Sequence, residues 1–598
     1  MLYSLVGRWL DLLLASDPPL ARFRLAARAT LSLALTGGIL ELFYRDGTIA
    51  PQVCVLGALI GMWNSLSIQN PNTGGRKVDT LLAPVAAMIT VTLLTFLQAW
   101  SDIAGDAGFI AVGFAAVWAR RFGPRGMGWG NVALFASLFS LFVKITPEML
   151  PTSYAAIALS AIVAYIVRFA IVTDDAGWTL RVAFAAFCAR ARLVDSAHDR
   201  SLLHHQTWLN LTAVNVDELL AGKALAIPDE ERRALRVSLL AAELAVERHN
   251  ADAATCMALE PRINAASRAP KTGLTDGLIS QISNVPPDTG GLKPTTRLAL
   301  QVALGSALAM IVGTILPPHT WFWAVLTAFI VFNGTATSGE ALRKTWARVV
   351  GTVIGVGAGF VLVDFLKGHP KVEIVLSLFG VFLAMYVFRV SYGIMTFFVT
   401  ATVAMVYDVI GRPTVQLLDA RLVETIIGAL CGGAAATFVF PFRTHDVVEI
   451  TAHDFATRLR AALDSSLSRL GGRSGGDESD ALDAIRAFDV QFQVLVARLK
   501  PLKGAFRASW KPNPREMLDV AEEISVLARA LAYRAISESN ASPEEHGALT
   551  AARTRLDDAL ETGEALAGIN AALPIVRELA GDNDAPKEEV ATTSPTRG

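Results

Sequence analysis

Charge is scarce in this chain. Of its 598 residues only 18% are Asp, Glu, Lys or Arg, against about 25% in an ordinary soluble domain. Hydrophobic residues make up 53% and the mean hydropathy is +0.43. A chain so poor in charge cannot clothe itself in polar side chains, so much of it faces lipid or other apolar helices. The formal net charge of −1 gives no case for a nucleic-acid partner. Cysteine is scarce as well. Of four cysteines, Cys54 and Cys431 sit inside apolar runs and Cys188 and Cys256 in polar helical sequence. None has metal-ligand spacing or an evident disulfide partner, so neither metal nor cofactor is expected. The first twenty residues lack the ordered basic, apolar and small-residue regions of a removable signal peptide. Met1–Leu14 instead reads as a short amphipathic helix lying on the membrane.

Apolar runs are abundant. Six come first, at roughly 25–43, 48–68, 79–99, 104–119, 129–146 and 152–172. Residues 174–291 are charged and alanine-rich with helical spacing, too polar to span. Six more runs follow, at roughly 297–316, 320–338, 346–366, 372–388, 392–410 and 420–440, and from Arg443 the chain is again polar and helical. Most runs approach the ~20 residues that a helix needs to cross the hydrocarbon core. The reading is an all-α integral membrane protein with two repeats of about six transmembrane helices, each followed by a cytosolic helical segment. Its expected parts are an amphipathic N-terminal segment (1–20), a first membrane repeat (21–173), a cytosolic helical domain (174–292), a second membrane repeat (293–443), a C-terminal cytosolic helical domain (444–580) and a disordered tail (581–598).

The two membrane blocks read as copies. Arg24-Leu25-Ala26 matches Arg297-Leu298-Ala299, Arg76-Lys77 matches Arg343-Lys344, Arg121 matches Arg389, and Lys144 matches Arg412, all near an offset of about 270 residues. Six spans per copy make the repeats parallel. Basic residues set the orientation. Arg76, Lys77, Arg120, Arg121, Arg125, Arg343, Lys344, Arg348 and Arg389 crowd one side, and fewer, mixed with acids, lie on the other. The positive-inside rule puts the crowded side, both polar segments and both termini in the cytoplasm of a bacterial inner-membrane protein.

Gly351, Gly355 and Gly359 recur at four-residue spacing on one helix face, which suits close helix packing. Gly472-Arg473-Ser474-Gly475-Gly476 matches the nucleophile-elbow pattern but joins two amphipathic helices, so it reads as a linker. With no nucleophile, base and oxyanion set and no metal-ligand cluster, an enzyme is not expected. Lys500, Lys503, Arg507 and Lys511 around Trp510 suit a solvated face better than a lipid-binding patch.

The stretch TRLALQVALGSALAMIVGTILPPHTWFWAVLTAFIVFNG, followed by LRKTWARVVGTVIGVGAG, resembles the fusaric-acid-resistance (FUSC) and aromatic acid exporter family. The resemblance lies in the arginine opening the first span, the tryptophans of the second, and a basic stretch leading into a Gly-x-x-x-Gly span. It is closest over 293–443 and extends more weakly to 20–173, where Leu81 stands at the place of Arg348. It implies two membrane halves, cytosolic helical segments and export of aromatic carboxylic acids, sometimes with a periplasmic adaptor protein.

The expected function is a secondary transporter exporting small organic anions, aromatic carboxylates foremost, on the proton gradient. The alternatives are a passive anion channel, since plant malate channels resemble the family distantly, and a membrane scaffold that carries nothing. The expected partners are the lipid bilayer, the acid substrate, an adaptor protein and a second copy of the chain. Arg297, Arg343, Arg348 and Arg389 are the residues to draw in a carboxylate, and Trp323 and Tyr392 those to meet its ring, although aromatics at span ends also serve as interfacial anchors. Intramembrane acids are costly and usually kept for a reason. Asp408, Glu424 and Glu41 are therefore the candidates for proton coupling, with Arg412 and Arg421 spaced for simple ion pairs to the first two. Arg28 reads as a snorkelling residue.

The orientation is open to direct measurement. An alkaline phosphatase reporter fused at Asp106 is expected to be active, and the same reporter at Gly222 or Gly475 silent. Activity at Gly222 would overturn the assignment.

Overall fold

Apolar side chains recurring on helical faces build every regular element of the computed structural model. It describes residues 16–17, 20–70, 72–195, 202–222, 224–248, 254–270, 291–315, 321–332, 335, 337–409, 414–470, 478–499, 513–537, 543–561 and 565–580. The N-terminal amphipathic segment, the linker around Gly475, the basic cluster around Trp510 and the C-terminal tail lie outside the described residues, apart from the ends of the first two.

The chain divides into two units, one of Met1–Ala189, Glu218–Pro228 and Pro261–Val447, the other of Arg190–Asp217, Asp229–Glu260 and Val448–Gly598. The first unit contains α1 Ala21–Arg45, α2 Pro51–Ser67, α3 Thr73–Trp100, α4 Asp102–Trp118, α5 Gly123–Val143 and α6 Leu150–Ile166. After α7 Ala176–Asp195, α8 Leu202–Ala221, α9 Asp229–Glu247 and α10 Ala254–Ala266 come the second six: α11 Pro294–Ile315, α12 Phe322–Phe332, α13 Ser338–Leu366, α14 Pro370–Val387, α15 Tyr392–Val409 and α16 Thr414–Phe438. Helix starts carry the expected chemistry. Asn72 caps α3 by accepting from the Gly74 N–H at 2.9 Å, Thr337 caps α13 by accepting from the Glu340 N–H at 3.2 Å, and prolines open α2 and α14.

Nine helical stretches among the described residues are long and apolar enough to cross a membrane, and the protein is an all-α, multi-pass membrane protein. One of the nine, Asp102–Val143, holds both α4 and α5, while α2 and the eleven-residue α12 are shorter. At 1.5 Å per residue, α12 covers roughly half of a ~30 Å core.

The two sets of six pack alike. In the first, α1 meets α2, α2 meets α6, α3 meets α5 and α6, and α4 meets α5. The second repeats these pairs among α11 to α16. The sets then exchange contacts, α1 packing on α14 and α11 on α4. Phe23 meets Phe382 edge-on at 5.5 Å in the first exchange, and Phe109 of α4 meets Trp321 at 5.8 Å beside the second. In each set the first helix also grips the carbonyls after the sixth. Arg28 donates to the Val172 carbonyl at 2.7 and 2.9 Å, and Gln301 to that of Val439 at 2.7 Å.

Arg28 does not snorkel. It is buried and ion-paired to Asp174 at 2.8 Å, in a group that Arg76 and Arg24 complete at 3.0 and 3.4 Å. Burial works against ionisation of Asp174, but the arginines, Arg28 first, outweigh it and bring its carboxyl down to about 2.

Two glycine contacts set the spacing in the second set. A Cβ on Gly351 of α13 would collide with the Gly393 carbonyl in the first turn of α15, and one on Gly428 of α16 would collide with the Ala324 carbonyl of α12. Gly355 and Gly359 continue the first seam against Thr400 and Ala404.

The second unit contains α17 Thr444–Leu470, α18 Glu478–Leu499, α19 Pro514–Ser537, α20 Pro543–Glu561 and α21 Ala565–Ala580, with α8 and α9 contributing. Phe455, Phe488, Phe492, Leu459 and Met517 form part of its apolar core. A buried ionic lattice runs beside it. Arg529 donates to Asp489 at 2.8 Å and Glu247 at 2.6 Å, Arg486 to Glu243 at 2.8 Å and Asp489 at 3.0 Å, and Arg236 to both Asp217 oxygens at 2.9 Å. Four buried carboxylates thus share three guanidinium groups. Burial, opposed by Arg529 and reinforced by Glu243 and Asp489, pushes the Glu247 carboxyl up to about 8.

This lattice makes a measurable prediction. The folded value of Glu247 lies above its ordinary 4.5, so the native unit holds a proton that the unfolded chain releases. Its contribution to stability is full below about pH 4.5 and is lost as pH rises through about 8. Guanidinium unfolding of the full chain is expected to show this decline and Glu247→Gln to flatten it, whereas an unchanged slope in the variant would refute the assignment. Arg529→Ala, which strands its carboxylates, is expected to cost about 3–5 kcal/mol.

Candidate functional site

The second set of helices brings cations into apolar surroundings. Lys344 and Arg348 stand one turn apart on α13, and Trp323 and Thr327 one turn apart on α12, a rise of ~6 Å in each case. Arg348 is 4% exposed. Its Nε donates to the Thr327 hydroxyl at 3.0 Å and its Nη1 to the Tyr392 hydroxyl at 2.9 Å. The Gly351 seam brings α15 close enough for that second bond. Lys344 Nζ lies 4.8 Å from the centroid of the same Tyr392 ring, within electrostatic reach of Arg348, of Arg120 and of the Glu340 carboxylate.

Arg421 of α16 continues the line. It is 1% exposed, and its guanidinium carbon lies 3.8 Å from the centroid of the Trp323 ring. The Gly428 contact between α16 and α12 makes that approach possible. Arg348, Glu424 and Tyr407 are within electrostatic reach. Nε and Nη1 of Arg421 are buried without a hydrogen-bond partner among the described residues. Glu424, three residues on, does not bond to it; its Oε2 accepts from the Trp323 N–H at 2.8 Å. The cation–π contact is worth about 2 kcal/mol when desolvated, less than the several kcal/mol that an ion loses on leaving water. Lys344, Arg348 and Arg421 therefore form a line along α12, α13 and α16, walled by aromatic rings and hydroxyls, that can take an anion.

Of the residues expected from sequence, Arg348, Tyr392, Trp323 and Glu424 come together here. Arg297 does not join them: it donates to the Pro441 carbonyl at 2.9 Å and lies over the Phe442 ring at 4.3 Å. Arg343 is exposed one position before Lys344, and Arg389 is exposed, donating to Gln69 at 3.2 Å. Among the acids, Glu41 pairs with Arg45 at 3.1 Å in an exposed position. Asp408 is half-buried and within electrostatic reach of Glu373 and Lys367, while Arg412, its sequence-expected partner, lies outside the described residues. Arg421, read as the ion-pair partner of Glu424, and Glu373, not named among the expected site residues, were both missed. Glu373 is buried, its Oε2 without a hydrogen-bond partner among the described residues. Helical spacing correctly put Arg421 and Glu424 on neighbouring turns, but it could not show that Trp323 comes between them.

Residues 295–435, which include this site, match the sequence family described as fusaric acid resistance protein-like. This stretch belongs to the FUSC family. Beyond the family match, 152 residues are 30% identical to an uncharacterized protein of Haemophilus influenzae, covering 25% of this chain and 20% of that one. A further match of 156 residues, 26% identical, is to the uncharacterized protein ORF2 of Neisseria gonorrhoeae and covers 26% of this chain and 37% of that one. The chain therefore aligns with well under two thirds of either relative's length. No solved structure matches it. Every site residue named above except Glu41 and Arg120 falls inside the FUSC segment.

Arg348 hydrogen-bonds only hydroxyls among the described residues, both of which can bond elsewhere. Arg348→Leu is therefore expected to melt at or above the wild-type temperature in detergent. A clearly lower melting temperature would make Arg348 a structural residue.

Proposed function

We propose that this protein exports small organic anions, aromatic carboxylic acids foremost, from the cytoplasm across the bacterial inner membrane. The observation that carries the reading is the line of half-buried Lys344 and buried Arg348 and Arg421 within the FUSC segment, set among Trp323, Tyr392 and Thr327. A carboxylate meets charge-assisted donors along this line, and its ring meets aromatic faces. A scaffold has no use for buried cations that cost stability. We take the two sets of six helices as duplicated membrane repeats at 21–173 and 293–443, with the polar segments and termini in the cytoplasm. A periplasmic adaptor and self-association belong to the same proposal.

The acids support a coupled exporter over an open channel. Glu373 and Asp408, on α14 and α15, lie within electrostatic reach of each other and can hold a proton between them. Glu424 already accepts from the Trp323 N–H, which makes Asp408 the better placed carrier.

Transport in everted vesicles tests the reading. Arg348→Ala is expected to raise the half-saturating concentration of an aromatic acid about 10- to 100-fold, the worth of a hydrogen bond to a charged group. Leu81→Ala, at the exposed corresponding position in the first set, should behave as wild type. Equal transport by the two at equal abundance would remove Arg348 from the path. Asp408→Asn or Glu424→Gln should abolish the dependence of export on the pH gradient; if both variants keep it, Glu41 becomes the candidate.

A further inference from the structure

The deepest cation of the line has a feature that the transport reading does not use. Arg348 has the hydroxyls of Thr327 and Tyr392 for its donors. Arg421 has a ring beneath it and nothing for its Nε and Nη1 to donate to among the described residues. Buried polar groups are nearly always answered by protein, water or a bound ion. An arginine near a span end ordinarily reaches out to water, yet this one is enclosed, with Glu424 turned to the Trp323 backbone.

The group around it fixes the charge of what can fill the gap. Arg348 and Arg421 bring two positive charges against the single carboxyl of Glu424, and Lys344 next to Arg348 adds a third cation, so the group lacks negative charge. A carboxylate supplies it and offers two acceptor oxygens in one plane, the geometry that a guanidinium fork matches. Trp323, stacked on Arg421, meets Phe142 edge-on at 6.1 Å, and Tyr407 is buried within electrostatic reach of the same arginine. The surroundings of the carboxylate are thus aromatic.

We propose that Arg421, seated on Trp323, is the terminal binding group for a single carboxylate borne on an aromatic ring, and that Arg348 is the station before it. This rests on the anion-transport reading only for how the acid reaches the site; binding itself needs no transport.

The test is binding of radiolabelled benzoate to the purified full chain in detergent micelles, alongside uptake into proteoliposomes. Wild-type protein is expected to bind benzoate. Arg421→Gln should weaken benzoate binding about 10- to 100-fold, and Arg421→Lys should recover only part of it, since an ammonium lacks the planar fork. Should Arg421→Gln fail to accumulate, Trp323→Leu keeps the guanidinium, removes its platform and carries the same test with a several-fold loss. Benzoate bound equally well by Arg421→Gln would overturn the site, assigning the guanidinium to an enclosed water, and would leave the transport reading standing. No benzoate binding by wild type would overturn the ligand class. Wild-type binding lost in Arg421→Gln without transport by either protein would uphold the site and overturn the transport reading.

Discussion

The approach of α16 to α12 is the contact on which the rest of the second membrane set depends. Gly428 lets the Ala324 carbonyl come closer than any side chain would allow, and Gly432 keeps the next turn tight against Ala328. Without a hydrophobic driving force between helices in lipid, van der Waals contact at this range is the main source of cohesion. Its consequence reaches beyond cohesion. The seam carries Arg421 onto Trp323, and the matching seam of Gly351, Gly355 and Gly359 against α15 carries Arg348 to Tyr392. Small residues that look like packing alone therefore set the spacing of the buried cations.

The chain treats buried charge in two ways. Where charge serves the fold it is answered by opposite charge. Arg24, Arg28 and Arg76 gather on Asp174, and in the other unit Arg236, Arg486 and Arg529 are shared among Asp217, Glu243, Glu247 and Asp489. Those lattices are costly to break because each partner left behind is an ion out of water. Arg348 is answered by hydroxyls and Arg421 by a ring. Hydroxyls and rings hold a guanidinium more weakly than carboxylates do and leave it able to exchange partners, which a passing anion requires.

Much of the fold was legible because the bilayer imposes a length and a composition on what crosses it. The apolar runs became α1 to α6 and α11 to α16 with ends shifted by up to about eight residues, and the spaced glycines became packing seams. Basic residues recur near an offset of about 270 in the sequence, and the helix pairs of the first set are found again in the second. The site was legible only in part. Arg348 and Tyr392 stand out as a cation and an aromatic near span ends, but Arg297 and Arg389 look the same in sequence, and the fold gives them to the Pro441 carbonyl and to Gln69.

Sequence by itself determined the all-helical membrane class, the apolar runs and the FUSC character of the second set, since hydropathy and local spacing are properties of neighbouring residues. Tertiary structure alone decided which ions are answered. Arg421 stands three residues before Glu424, and helical spacing makes them a pair. The acid instead accepts from the Trp323 N–H, 101 residues away in the chain, and the guanidinium lies on that residue's ring. A partner so distant becomes a neighbour only when two helices pack closely enough to exclude the nearer choice.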